Sequence, residues 1–302
     1  MSRPLRLPAP LQRWAEGEAG RMLAAPGVPP VDFELPEGEP ALAPADGASW
    51  RVFKNPLTLF VGGVTAVLLE LAEPRVRAGV WEHSDFRRDP LARLQRTGLA
   101  AMVTVYGARS VAERMIEGIG RQHARVRGVT PDGEPYRADD PALLTWVQAT
   151  AVYGFLRAYH RFARPLTAAE RDALWAEGVP AAALYGAHRP PRSEAEWRAL
   201  YAEWEPRLAP SPTVHEFMAI MARVPALPTL SRPIQPLLLR AAVDILPDGL
   251  ATKLGLGRGL NVAERALVRT VARAADRLVL RNAPPARACR RLGLAEDWLY
   301  RR

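Results

Sequence analysis

Three dipeptides do most to restrict how this chain can fold: Asn55-Pro56, Asp89-Pro90 and Asp140-Pro141. A short side-chain acceptor followed at once by proline is a helix start. The acceptor caps the free N–H groups of the first turn, and proline fits the first helical position, where its missing N–H is not needed. Three further positions carry the capping-box spacing, with Glu three residues after Ser or Thr: Ser110/Glu113, Thr167/Glu170 and Ser193/Glu196. Six marked starts, with apolar residues recurring at helical spacing after them, predict an all-α protein built as a single multi-helix globular domain. Only Trp50–Phe53 shows an alternation that would suit a strand, and no repeat of fixed period is present.

The punctuation gives helices over 55–72, 74–81, 90–106 and 110–127, the last ending at Gly128. Thr130–Asp140 reads as a Gly/Pro/Asp-rich loop. Further helices follow over 141–161, from Thr167 to about Trp175, over 193–208, from Thr213 to Val224, over 237–246, and over 261–281. Residues 1–49 hold prolines at a density that forbids long helices, so they read as an extended Pro-rich N-terminal arm packed on the core, with one short helix at Leu11–Leu23. Residues 50–302 form the main helical domain, within which 226–302 is a C-terminal helical extension. In its last long helix, Val262, Ala266, Leu267, Val271, Ala274, Ala275 and Leu278 form the stripe expected to dock, with the arginines in water.

Composition narrows the function. No window approaches the ~20 apolar residues of a membrane span. The longest run, Leu57–Leu71, is interrupted by Gly62 and Gly63 and carries Glu70, so it reads as a buried helix, with no stable membrane insertion. No basic-then-apolar leader is visible, and a cytoplasmic protein is expected. A single cysteine, Cys289, excludes an intramolecular disulfide, a Cys-based zinc site and two-cysteine haem attachment. The net charge of +9 comes almost wholly from dispersed arginines, Lys54 and Lys253 being the only lysines. No basic run is interleaved with aromatics, so no nucleic-acid partner is expected.

The unusual chemistry lies between Gly79 and Thr150. His123 shares a helical face with Ala112, Ile116 and Ile119, and an imidazole on such a face needs a hydrogen bond or a metal. On the predicted helix Arg127 follows one turn later, as a cation for a nearby anion. On the preceding helix Arg93 and Thr97 are one turn apart, with Arg96 adjacent and Gly98, Ala100 and Ala101 leaving room beside them. Glu82 and His83, just before that helix, are candidates for acid–base work. A hydrogen-bonded core histidine and a solvated arginine face are the plainer readings of the same residues. His160, His188 and His215 lie in separate segments and read as structural.

The run VGGVTAVLLELAEP, AGVWEHSDFRRDPLARLQRT, VYG, HARVRG, PYRADDPALLTWVQAT and FLRAY, continued more weakly by ILPDGLATKLGL, resembles the family of the mycophenolate-pathway oxygenase and the latex-clearing (rubber) oxygenases. The resemblance spans about Asn55 to Leu256. It implies an all-α fold holding a non-covalent haem b, whose iron uses O2 to cleave isoprenoid double bonds. By the same resemblance, His123 corresponds to the proximal haem ligand and Arg127 to the arginine four residues on. Arg93, Arg96 and Thr97 correspond to the distal Arg/Thr motif. Two positions depart from the family pattern. Arg96 stands where rubber-cleaving members carry a lysine able to reach iron, and a permanently protonated guanidinium cannot close the sixth position. Gln148 stands where many relatives have histidine.

The resemblance thus implies a haem b-dependent oxygenase acting with O2 on an apolar, isoprenoid-like small molecule. Its catalytic candidates are Arg93, Thr97 and Glu82, its cofactor-binding candidates His123, Arg127 and Arg96, with His123 as iron ligand. A cofactor-free helical protein that binds lipid or a partner on the same scaffold is the alternative. The sequence gives no oligomeric state.

Overall fold

The computed structural model describes residues 4–301. The helices run α1 Ala9–Leu23, α2 Ala48–Phe53, α3 Pro56–Ala72, α4 Pro74–His83, α5 Pro90–Tyr106, α6 Arg109–His123 and α7 Pro141–Ala158. They continue as α8 Ala168–Leu184, α9 Glu194–Trp204, α10 Pro212–Arg223, α11 Gln235–Asp244, α12 Leu250–Lys253, α13 Val262–Arg277 and α14 Pro284–Arg291. A two-stranded hairpin, β1 Arg127–Val129 and β2 Pro135–Arg137, is the one sheet among the described residues. The fold is all-α.

The three polar-Pro starts work as their chemistry dictates. Asn55 Oδ1 accepts from the N–H groups of Leu57 and Thr58, Asp89 from Ala92, and Asp140 from Ala142 and Leu143. Thr167/Glu170 closes a full capping box, and so does Asn261/Glu264 at α13. Ser110 does not cap α6. Glu39 of the N-terminal segment accepts both the Ser110 N–H at 2.5 Å and its hydroxyl at 3.0 Å, so the helix starts one residue earlier with an acid from far upstream at its N-terminus.

Several local expectations are corrected. Trp50–Phe53 is helical, because Glu177 accepts the N–H groups of Ala48 and Ser49 and holds the first turn of α2. The helix after Thr167 runs on to Leu184, with Pro180 inside it. The largest correction concerns α6, which stops at His123 rather than Gly128. The chain turns there, with Val126 N–H donating to the His123 carbonyl, and enters the hairpin. Gly128 pairs with Tyr136, and a Cβ on Gly128 would stand 2.5 Å from the Tyr136 hydroxyl oxygen, so the close approach requires glycine. Gly133, with φ +86°, closes the turn.

The packing divides into two apolar cores. The larger is formed by α3, α4, α7 and the helices α8 to α13; the smaller joins residues 25–43 to α5, α6, α14 and the chain's last turn, with Phe53 packed against both. α3 and α7 are the closest pair, brought together at Gly62 and Gly154. α5 packs on α6, α1, α2 and α14 rather than on α3. The N-terminal segment is tied down by buried Arg291, which donates to the carbonyls of Phe33, Glu39 and Tyr106.

α13 docks on α3, α11 and a π-helical turn at Tyr159–Ala163 through only part of the expected stripe, Val271 and Ala275 packing on the core and Leu278 half-buried. Val268, Ala272 and Asp276 are buried, whereas Val262 is 81% and Leu267 52% exposed, and Ala266 and Ala274 face out. The reason is Asp276. It pairs with buried Lys54 at 3.2 Å and accepts from Tyr159 and Asn55, so the helix turns a charged residue inward.

Candidate functional site

The site lies along the seam between the two cores. α3 is buried on every side but one, and its half-buried positions Phe60, Gly63, Val67 and Glu70 recur at helical spacing. Glu70 is the single charge in that apolar helix. On α7, Thr150 points the same way, its Oγ1 3.5 Å from Glu70 Oε1. Across the seam, α5 presents Arg93, Thr97, Ala100 and Thr104 on one face, and α6 ends on His123.

These groups sense one another. Burial raises the Glu70 carboxyl to a pKa of about 7, against the pull of the Arg93 guanidinium and the Thr150 hydroxyl. The Arg93 pKa is lowered by burial, the Glu70 carboxylate opposing and Arg96 adding to it. His123 is held below the usual imidazole range by burial first and then by Arg93, with Asp139 acting the other way. Its imidazole is therefore neutral at physiological pH. His123 is half-buried, and its Nδ1 is sealed from solvent with no hydrogen-bond partner among the described residues. Asp139, the acid whose charge acts on His123, is occupied by a bidentate contact with Arg137 at 2.9 and 2.8 Å. Arg93 donates through Nη1 to the Thr97 hydroxyl, which in turn donates to the Arg93 carbonyl at 2.9 Å.

Other residues singled out in the sequence stand apart from this cluster. Arg96 is half-buried and approaches Asp85 at 3.8 Å. Arg127 is not one turn beyond His123 on a helix; it is exposed in β1 and forms no ion pair among the described residues. Glu82 is exposed and stands apart from the seam. It accepts from the Tyr136 hydroxyl at 2.9 Å, and His83 Nε2 lies 3.0 Å from the same oxygen. The phenol of Tyr136 is pushed up to about 12 by its burial and then by Glu82. His160 Nδ1 accepts from the Leu166 N–H and so braces the end of the π-helical turn. An apolar groove of about 420 Å³ lies elsewhere, between Val28–Pro36 and the α6 residues Val111, Arg114 and Met115.

Glu70 and Thr150 are the residues that sequence reasoning missed. The signal for Glu70 was present, a lone carboxylate within the most apolar helix, where an ionised group is costly without a partner. Whether a haem suits the seam is a question of donor set. Among the described residues no three His, Cys, Asp or Glu side chains converge on a point that would hold a bare metal ion. A haem needs only one axial side chain. His123 supplies a neutral ring with no competing partner among the described residues, and Arg93, braced by Thr97, supplies a donor across the seam, so the residues fit the group.

No helix among the described residues is by itself long and apolar enough to cross a membrane; only the pair α3–α4, bent by 109°, passes by length and composition. No curated protein and no solved structure matches the chain. Residues 50–298 match the family described as ER-bound oxygenase mpaB/B'/Rubber oxygenase, catalytic domain, a span that takes in α3 to α14 and every residue of the seam. The chain belongs to that oxygenase family.

Proposed function

We propose that this oxygenase is haem b-dependent and uses O2 on an apolar, isoprenoid-like substrate, with His123 as the axial ligand. The observation that carries the reading is the buried, unpartnered Nδ1 of His123, within electrostatic reach of Arg93 at the seam between the cores. A buried polar atom without a partner costs about 1–3 kcal/mol, and a bound group offsets that cost. The haem would supply the binding and activation of O2.

The chain's own groups supply the rest. The His123 ring would hold the iron through a lone pair, since burial and the Arg93 charge both oppose its protonation. Arg93 would offer a hydrogen-bond donor to a bound group across the seam, its guanidinium fixed by the Thr97 hydroxyl, which accepts from it. Arg96, turned toward Asp85 and bearing only donors, would not serve as a second iron ligand. Glu70, with a pKa of about 7, is poised to hold a proton at Oε1 and release it near neutrality, which suits a general acid–base group. Phe60 and Val67 offer apolar surface for the substrate, and unpaired Arg127 a cation for a cofactor carboxylate at the rim.

Titration of the purified protein with haemin tests this. The expected result is a Soret band that saturates at one haem per chain and is lost in His123→Ala, with far-UV circular dichroism unchanged. A His123→Ala protein with the wild-type spectrum would remove the ligand assignment. A wild-type protein that takes up no haem would favour the cofactor-free reading.

A further inference from the structure

Four tryptophans from three helices form a continuous stack in the larger core. Trp146 of α7 lies 5.0 Å from Trp204 of α9 with the rings 5° from parallel, and 5.9 Å from Trp197. Trp197 in turn lies 5.6 Å from Trp175 of α8 at 17°. All four indoles are buried. Leucine or phenylalanine would fill such a core without a polar atom. The indoles of Trp146 and Trp175 instead each seal an Nε1–H from solvent with no acceptor among the described residues. Each such group costs about 1–3 kcal/mol and calls for a reason, of which a redox role is one.

The position of the stack suggests what that role is. Trp146 and Thr150 are one turn apart on the same face of α7, and Thr150 contacts Glu70. An interior member of the stack, Trp146, therefore stands a helical turn from the seam. Indole is among the most easily oxidised side chains, and near-parallel rings in contact let an electron vacancy move between them. An Nε1–H with no acceptor cannot lose its proton, so Trp146 can pass a vacancy on without trapping it. Trp204 lies against the guanidinium groups of Arg75 at 5.7 Å and Arg207 at 6.0 Å, which disfavour a positive charge there. Of the four indoles, Trp197 alone has neither a facing cation nor a sealed nitrogen, so within the stack the vacancy ends there, beside the rings of Tyr153 and Tyr201.

We propose that Trp146 and Trp197 form a one-electron conduit that draws oxidising equivalents away from the Glu70–Arg93–His123 seam when the chemistry there runs without substrate. The proposal rests on the haem reading and takes a peroxide as the oxidant. At the seam, peroxide accepts two electrons and two protons and breaks its O–O bond to give two waters. At Trp197, the indole gives up two electrons in turn through Trp146, releases two protons to solvent and takes one oxygen atom from water. The sum is one indole and one peroxide giving one hydroxyindole and one water.

The test treats haem-loaded protein, its Soret band recorded first, with one equivalent of hydrogen peroxide and locates added oxygen by peptide mass spectrometry. Trp14 of α1, 37% exposed and outside the stack, is the internal reference. Oxygen addition is expected at Trp197 above Trp14, falling severalfold at Trp197 in Trp146→Phe with the Soret band retained. In Trp197→Phe, which keeps an aromatic ring in the core, the haem is expected to bleach faster per peroxide. Equal or greater oxidation of Trp14, an unchanged Trp197 yield in Trp146→Phe, or wild-type bleaching in Trp197→Phe each overturns the conduit. A wild-type protein with no Soret band overturns the haem reading and the conduit together, and the band tells that failure from a failure of the conduit alone.

Discussion

A Cβ on Gly154 would stand 2.3 Å from the carbonyl oxygen of Gly62, and one on Gly62 would stand 2.8 Å from the Gly154 backbone. Backbone meets backbone at this crossing of α3 and α7, and neither partner can swing aside. Because Glu70 and Thr150 lie farther along the same pair of helices, the crossing sets how closely they meet. Gly154→Ala is expected to force the helices apart and destabilise the protein by about 1–3 kcal/mol or more, the range for overpacking a filled core. The urea midpoint measures it. A midpoint at or above wild type would mean that the crossing is looser than its geometry indicates.

Gly98 gives the opposite case. It sits within α5, and an added Cβ would meet no heavy atom within 4 Å. By helical spacing it points away from the Arg93–Thr97–Ala100 face. Gly98→Ala therefore removes backbone entropy from the unfolded chain without a clash, and a gain of about 0.5–1 kcal/mol is expected. Haem uptake should not change. A loss of stability would show that this side of α5 is covered.

Glu70 makes a pH-dependent contribution with a definite sign. Its folded pKa of about 7 lies above the ordinary 4.5. Below pH 4.5 both states hold the proton, and the contribution to stability is fully present. As pH rises from 4.5 towards 7, the unfolded chain loses the proton first, so stability falls through that window and then levels off. The full shift corresponds to about 3 kcal/mol at most, and solvent reaching the half-buried carboxyl makes the observed change smaller. Glu70→Gln should lack this decline, seen as a difference between the two unfolding free energies that grows from pH 4.5 to 7. Parallel curves for the two proteins would show that the carboxyl ionises normally.

The contrast between what could and could not be read beforehand has physical causes. Helix starts were legible at Asn55, Asp89 and Asp140 because a cap is local, made by a side chain and the two or three N–H groups after it. Ser110 misled because the acceptor at that helix end, Glu39, comes from 71 residues away. The end of α6 at His123 was not legible because a tertiary contact, Tyr136 over Gly128, favours the hairpin over another helical turn. In α13 an apolar count placed the stripe partly off the buried face, keeping Val271 and Ala275 but missing that Asp276 turns inward to Lys54 and Tyr159. At the site, the chemistry of Arg93 and His123 marked them out. That Glu70, and not Glu82, is the carboxylate near them depends on the α3–α7 crossing, which no local pattern encodes.

Arg127 tests where the rim of the proposed haem site lies. Its guanidinium is exposed in β1 and unpaired, and so is that of Arg125 two residues earlier, in the turn. If Arg127 holds a cofactor carboxylate, the pair works in water, where an exposed ion pair contributes about 0.2–1 kcal/mol. Arg127→Ala should then raise the rate of haem transfer to apomyoglobin by a small factor, about fivefold at most by that range. Added salt should shrink the difference, because exposed charges are screened. Arg125→Ala carries the same change in net charge at a neighbouring place and serves as the control. A matching rise in both variants would mean that only the general positive field near the hairpin matters. A rise confined to Arg127→Ala and removed by salt places the carboxylate at that residue. A rise that salt leaves untouched would mean that Arg127 acts through the hairpin's own structure rather than by its charge.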